Sequence, residues 1–444
     1  MTLATESATE SATKSAGGTG SGTGSGTGSA ARPAAVVTGI GVAAPNGVGT
    51  EQWWQATLRG ESGIRTVVDY DASRYPAPLV GRIEGFEAAD HIPGRLLPQT
   101  DRVTRLALAA GAAALADADA DPAALAESGD YGTYDFGVVT SNATGGFEFT
   151  HREIRKLWTQ GPQHVSVYES FAWFYAVNTG QLSIRHKLRG AGGVLVSEQA
   201  GGLDAIGQSR RTLRQGVKLS LTGGVDSSLD PWGLVSHLAG GRLSRSADPA
   251  TAYLPFDTRA AGHVPGEGGA ILVLEDEHAA RTRGARVYGE VAGYAATFDP
   301  PPDSGRPSGL ERAARLALAD GGLAADDVDV VFADAAGRPG ADADEAAALR
   351  SLFGPYGVPV TAPKTLTGRL FGGGAALDVA GALLALRDGV VPPTIGPGRP
   401  VPEHRIDLVR AEPRAASLRT ALVLARGHGG FNAAVVVRAP APAG

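Results

Sequence analysis

From Ala34 onward, short runs of β-branched and other apolar residues alternate with Ala/Leu-rich stretches of helical period. AVVTGIGVAAP from Ala35, FGVVTSN from Phe136, GVLVSEQ from Gly193, LSLTGGVD from Leu219 and AILVLED from Ala270 read as strands. The pattern then restarts with VYGEVAGY from Val287, VDVVFADAAG from Val328, VPVTAPK from Val358 and ALVLARGHGG leading into AAVVVR. Strands this continuously apolar have no face to give to water, so helices must cover their sheets on both sides, which predicts an α/β fold.

Two rounds of one pattern predict an internal duplication, with a first half over 34–285 and a second over 286–440. In the first round GVLVSE reads as a buried strand that runs into a helix starting near Gln199. In the second, GRLFGGG precedes the helix AALDVAGALLALRDG. Small residues at both junctions allow a helix to approach a strand closely, and two sheet layers around shared central helices are the expected result. Residues 4–30 are a Thr/Ser/Gly/Ala tract without a large apolar side chain. Such a segment does not offset its own ordering entropy, so 1–33 is expected to be a disordered tail.

Composition narrows the chemistry. The chain has 444 residues, a formal net charge of −6 and no cysteine. Disulfides, thiolate metal sites and thiolate nucleophiles are therefore excluded together. An acidic balance without basic runs argues against a nucleic-acid partner. No apolar stretch approaches the ~20 residues that span a bilayer, and the N-terminus lacks a secretory pattern, so neither membrane insertion nor secretion is expected and the location should be cytoplasmic. HExxH, GxSxG, GxxxxGK[ST] and Cys/His zinc spacings are all missing, and the histidines are scattered singly. No metal is implied.

The order of motifs is more informative. VVTGIGVAAPNGVG, EQAGGLDAIGQSRRTLRQG, YLPFDTRAAGHVPGEGGAILVLED, VDVVFADAAG, PKTLTGRLFGGG and GHGGFNAAVVV follow one another between Pro33 and Arg438 as in the β-ketoacyl synthases of the thiolase superfamily, which the chain resembles. FEFTHREIRKLW and SVYESFAWFYAVNTGQLSIRH resemble more narrowly the chain-length factor, or ketosynthase β subunit, of aromatic type II polyketide synthases. The resemblance implies the thiolase-like duplicated fold, layered α-β-α-β-α. It also implies a non-condensing partner of a ketosynthase α subunit, with an acyl carrier protein and a polyketide chain of malonyl units as further partners. No cofactor of its own is implied; the carrier's phosphopantetheine would act at the partner subunit.

In active members of that family a cysteine at the strand-to-helix elbow takes the acyl chain, and two histidines assist decarboxylation. By motif these places hold Gln199, Asp334 and Arg369. A carboxamide is no nucleophile, and neither an acid nor a permanently protonated guanidinium replaces a neutral imidazole donor. The family's lysine and acid correspond to Lys364 and Glu345. Because unpaired buried charges are costly, Asp334 with Arg369 and Lys364 with Glu345 are expected to form two ion pairs; the alternative is that each charge points to solvent. Gln199 admits two readings: a structural residue that caps the helix, or an amide that holds a thioester carbonyl in a malonyl-carrier-protein decarboxylase.

Phe147, Thr150 and Ile154 share one helical face at spacing i, i+3, i+7. In the resembled subfamily these positions border the tunnel that limits chain elongation; the spacing fits an ordinary core stripe equally well. Isoleucine at 154 leaves more length than an aromatic, which suggests an octaketide or longer. Arg152, Arg155, Lys156, Arg210, Arg211 and Arg214 read as a solvated face, with carrier-protein docking as the alternative. FAWFYAV from Phe171 reads as subunit contact or as core. An inactive homodimeric scaffold remains a further alternative.

Overall fold

The runs that read as strands pair in two sets of five with one shared order. The structure is a computed structural model and describes residues 33–441; apart from Pro33, the expected tail lies outside the described residues. The first set comprises β1 (Ala35–Ala44), β2 (Phe136–Ser141), β3 (Gly192–Leu195), β4 (Leu219–Asp226) and β5 (Gly268–Asp276), in spatial order β3-β2-β4-β5-β1. The second comprises β6 (Gly289–Phe298), β7 (Val330–Phe332), β8 (Pro359–Thr361), β9 (Thr420–Gly427) and β10 (Phe431–Arg438), in order β8-β7-β9-β10-β6. In each set the second strand runs parallel to the third and fourth, and the last two pairings are antiparallel. The duplication expected from the pattern is thus present in the topology. One hydrogen-bonded path joins the sets, because β1 and β6 pair antiparallel through Val36–Glu290 and Val37–Gly289.

The layers are built by helices. Between the two sets lie α4 (Gly201–Leu213), which packs on β2, β4, β6 and β10, and α8 (Gly374–Asp388), which packs on β5 and β9. Outside lie α1 (Arg102–Asp117) against β1 and β5, α2 (Phe147–Gln160), α3 (Val177–His186) against β2, and α5 (Pro231–Ala239). On the far side α6 (Leu310–Asp320) covers β6 and β10, and α7 (Pro339–Phe353) packs on α6. The arrangement is α-β-α-β-α.

A helix between two sheets has no solvent face, which explains why α8 is apolar but for Asp378 and buried from Gly374 through Leu386. Close approach needs glycine at matched places. A Cβ at Gly41 of β1 would overlap the Ala110 carbonyl of α1, and one at Gly293 of β6 would overlap the Ala317 carbonyl of α6.

One strand departs from its expectation. β3, read as buried, is the outer edge of its sheet, pairs only with β2 and is half-exposed. Its apolar residues, partly covered by α3 and α4, are left half-exposed at that edge. Among the described residues no helix is long and apolar enough to cross a membrane.

Candidate functional site

The chain leaves β3 through Ser197 and Glu198, turns at Glu198 with φ 51°, and enters α4 through a short 3-10 turn over Glu198–Ala200. A non-glycine residue in left-handed backbone marks a locally strained elbow. Gln199 stands on it with 0% exposure. Its carboxamide nitrogen and oxygen have no hydrogen-bond partner, and no side chain caps α4. The capping role expected for Gln199 is not what the structure shows: the amide lies against Gly374 at the start of α8, so closely that a Cβ there would overlap it. The side chain fills space between the two central helices instead of turning back to its own N-terminus.

Asp334 follows β7 and is fully buried; Arg369 precedes α8 and is buried too. Arg369 Nη2 donates to Asp334 Oδ1 at 2.9 Å, forming the ion pair that the cost of unpaired burial demands. Arg426, near the end of β9, adds its backbone N–H to the same oxygen at 2.8 Å and places Nε 3.5 Å from Oδ2. Arg369 also donates to the Arg426 carbonyl at 2.5 Å and lies 3.9 Å from Glu198. Burial alone would push the Asp334 carboxyl up, but Arg369, Arg426 and Lys364 outweigh it and hold the carboxyl below its ordinary range. Burial likewise disfavours charged Arg369, and Asp334 and Glu198 more than restore it.

The second expected pair does not form. Lys364 Nζ lies 2.8 Å from Asp378 Oδ2, and it also donates to the Ala333 carbonyl. Glu345 instead accepts the backbone N–H groups of Asp334 at 2.7 Å and Ala335 at 2.8 Å. The reason is local. Asp378 is the acid inside an otherwise apolar buried helix and takes the nearby ammonium, whereas Glu345 is satisfied by the chain turning past it. Ala335 has φ 50°, and Glu345 on its N–H and Tyr253 on its carbonyl, at 2.7 Å, hold that conformation. Burial, followed by the Asp334 charge, pushes the Glu345 carboxyl up.

The helix α2 starts from Gly145–Gly146, where Cβ atoms would overlap the carbonyls of Trp173 and Ala172. Asp101 joins two helix N-termini here: Oδ1 accepts the Val103 N–H of α1 at 2.8 Å and Oδ2 the Phe149 N–H of α2 at 2.7 Å. Phe149 and Glu153 form the inner face of α2. Glu153 is buried although charged, because Lys156 Nζ at 2.8 Å, Arg152 Nε at 3.2 Å and the Ser166 N–H at 2.8 Å surround it.

Phe147, Thr150 and Ile154 are therefore not core. Phe147 stacks on Trp232 of α5 with centroids 4.8 Å apart, Thr150 is half-buried, and Ile154 is 39% exposed beside Trp158 at 81%. The adjoining aromatic run is also uncovered, with Trp173 50% exposed and Phe174 and Tyr175 close to that. The core reading fails for the α2 face and for Trp173, Phe174 and Tyr175, while Ala172 and Val177 of the same run are buried, since spacing reports which residues share a face but not which face meets the sheet. Among the basic residues, Arg210 is neither solvated nor available for docking: it is buried, pairs with Asp320 and donates to the Ala292 carbonyl. Arg152 lies over the Phe149 ring, 4.6 Å from its centroid.

Sequence reasoning missed Asp101, Glu198, Asp378 and Arg426. Only Asp378, a lone charge in AALDVAGALL, carried a local signal. Among the described residues no group of three or more His, Asp or Glu could hold a metal ion. Chemically the cluster neutralises itself: it offers no nucleophile, and the one amide at the elbow is shut away from the cavity next to it, which Asp334 and Arg369 line.

Comparison with known proteins agrees with this geometry. Residues 33–280 match the β-ketoacyl synthase N-terminal domain family and residues 288–397 the C-terminal domain family. The chain is 62% identical over 410 residues to the actinorhodin polyketide β-ketoacyl synthase 2 of Streptomyces coelicolor, covering 92% of this chain and 99% of that one. It is 58% identical over 405 residues to the tetracenomycin polyketide synthase ketoacyl synthase beta subunit of Streptomyces glaucescens, covering 91% and 98%. The ishigamide ketosynthase/chain length factor structure superposes with a TM-score of 0.83 at 25% identity, covering 93% of this chain and 100% of that one.

Proposed function

This chain belongs to the β-ketoacyl synthase family, and from that premise we propose that it is the non-condensing chain-length-factor subunit of a type II polyketide ketosynthase heterodimer. One observation carries the proposal: the place of the family's nucleophile holds Gln199, sealed behind a neutralised Asp334–Arg369 pair. A carboxamide forms no acyl-enzyme, so carbon–carbon bond formation belongs to the cysteine of the ketosynthase α subunit. The tetracenomycin relative is a ketosynthase beta subunit and the ishigamide structure a ketosynthase/chain length factor, which supports the same role here.

What this subunit supplies is shape. The half-exposed edge strand β3, the exposed aromatics Trp173, Phe174 and Tyr175, and the outer face of α2 are surfaces that an α subunit would bury. Phe147, Thr150 and Ile154 then stand at the wall of the tunnel that receives the poly-β-ketone. In a close-packed wall chain length is a steric limit: the acyl chain grows until it meets a side chain that does not move. The isoleucine at 154 favours a product of octaketide length or longer. The chain needs no cofactor of its own. The acyl carrier protein brings malonyl units on phosphopantetheine to the α subunit, in the cytoplasm. Decarboxylation through Gln199 is the less favoured reading, because a buried amide packed on Gly374 has no room to meet a thioester carbonyl.

The test is the mass of polyketide made by the heterodimer with carrier protein and malonyl units, native against Ile154→Phe. Shorter products at retained turnover are expected. Unchanged length would remove this face from the tunnel wall, and carbon dioxide release by the isolated subunit that is lost in Gln199→Ala would favour the decarboxylase.

A further inference from the structure

Outside the Asp334–Arg369 pair lies a solvent-reachable cavity of about 220 Å³ whose charges a tunnel wall does not require. Arg242, Arg338, Arg369 and Arg426 line it, together with His263 and His428. Three carboxylates oppose the four guanidiniums: Asp334, Asp299 and, behind Arg242 and Arg369, Glu198. All three are already engaged. Asp299 Oδ1 accepts from Ser308 Oγ at 2.9 Å, Gly309 N at 2.7 Å and Asn432 Nδ2 at 2.8 Å. Glu198 Oε2 accepts the N–H groups of Gln199 at 2.9 Å and His428 at 3.2 Å.

The donors are not equally engaged. Arg242 reaches Glu198 only at 3.4 Å. The Arg338 guanidinium has no hydrogen-bond or ion-pair partner among the described residues. His263 is 4% exposed, held between the rings of Tyr253 and Phe371, and its imidazole makes no hydrogen bond among the described residues although it faces the cavity. Burial first, and then the charges of Arg369 and Arg242, hold its pKa well below the ordinary value, so the ring is neutral. Arg242 is lowered as well, by burial and by Arg369 and Arg338, against Glu198. Burial is the first cause of both shifts, and Arg369 adds to each as a nearby positive charge. The 15-residue helix α7 adds the positive end of its dipole, since it begins at Pro339 without a side-chain cap and its Ala341 lines the wall.

We propose that this cavity binds a small oxyanion, a carboxylate or phosphate group, between Arg338 and Arg242, with the His263 ring as a further hydrogen-bond partner. A guanidinium fork matches either group in plane, and a cavity this size falls below the ~300–1,000 Å³ of sites for drug-sized ligands, which suits a free ion or the end of a flexible arm. The bound group stays on the solvent side of the Asp334–Arg369 pair and does not reach Gln199. The site does not depend on the chain-length reading.

Isothermal titration of the heterodimer at low ionic strength, with inorganic phosphate and separately with acetate, tests this. Saturable binding of at least one anion is expected, weakened about tenfold or more in Arg338→Ser and in Arg242→Gln. Arg338 is exposed and unpartnered, so its variant keeps the parent's melting temperature and loss of the anion is not loss of fold. Saturation by phosphate alone identifies a phosphate group as ligand, and saturation by acetate alone a carboxylate. No saturable heat with either anion, or equal affinity in both variants and parent, overturns the proposal.

Discussion

Replacing Arg369 by methionine keeps an unbranched apolar stem and removes the guanidinium, leaving Asp334 fully buried with its principal counter-ion gone. Removing one partner of a buried ion pair costs roughly 3–5 kcal/mol, most of it the penalty of the stranded charge. Two groups soften the loss: the Arg426 N–H at 2.8 Å stays on Oδ1, and Arg426 Nε stands 3.5 Å from Oδ2. The expected cost therefore sits at the low end, about 3 kcal/mol. Scaling the ~2–4 °C per kcal/mol of a 150–250-residue domain to this longer chain gives a fall of about 3–6 °C in the melting temperature of the heterodimer. Adding Asp334→Asn removes the stranded charge and keeps an acceptor for Arg426 N–H, so the double variant should return to within ~1 kcal/mol of the parent.

The sign of the pH effect is fixed by the depressed Asp334 carboxyl. In the parent the pair stabilises above the unfolded carboxylate range and is lost as pH falls through the lower folded value. The single variant's deficit should accordingly shrink as pH falls, because Asp334 without Arg369 takes up a proton at higher pH than it does in the parent. Melting measured by differential scanning fluorimetry across pH, on parent, both single variants and the double, decides it. A deficit below ~1 kcal/mol in Arg369→Met, or strict additivity of the two substitutions, would refute the claim that these residues neutralise one another.

Two further outcomes follow from the same contacts. Gly374→Ala should destabilise by roughly 1–3 kcal/mol through overpacking against the Gln199 carboxamide, and Gln199→Ala in the same chain should recover most of it; an unperturbed melting temperature in Gly374→Ala alone would show that the amide does not occupy that space. Asp101, pushed up to about 7 by burial against two N–H donors, disfavours the folded chain increasingly as pH rises from ~4 through 7. Asp101→Asn loses one helix-capping acceptor at every pH, yet its melting temperature should gain on the parent's between pH ~5 and ~7.5; a constant difference over that range contradicts the raised value.

The strand runs and the duplicated order were legible because burial on both faces leaves an apolar signature within each segment. AILVLED and ALVLARG read as strands without reference to anything distant, and AALDVAGALLALRDG read as a helix enclosed on all sides. The missing nucleophile was legible too, since Gln199 sits at a motif position and a carboxamide has no thiolate chemistry. Opposite charges at 334 and 369 implied their pairing from sign and cost alone.

Choice among competing partners was not legible. Lys364 had two candidate acids within buried segments, and only the folded chain sets Asp378 beside it while Glu345 meets two backbone N–H groups. Arg210 was read with the surface arginines, although Asp320, 110 residues away, awaits it. Spacing put Phe147, Thr150 and Ile154 on one face and Phe149 with Glu153 on another, without saying which face turns inward. The sequence by itself determined the elements, their order and the chemistry that this chain cannot perform, since those depend on side-chain type and local period. Tertiary structure alone decided which charges pair, which apolar faces stay uncovered and which cavity remains positive, because each depends on distances between segments far apart along the chain.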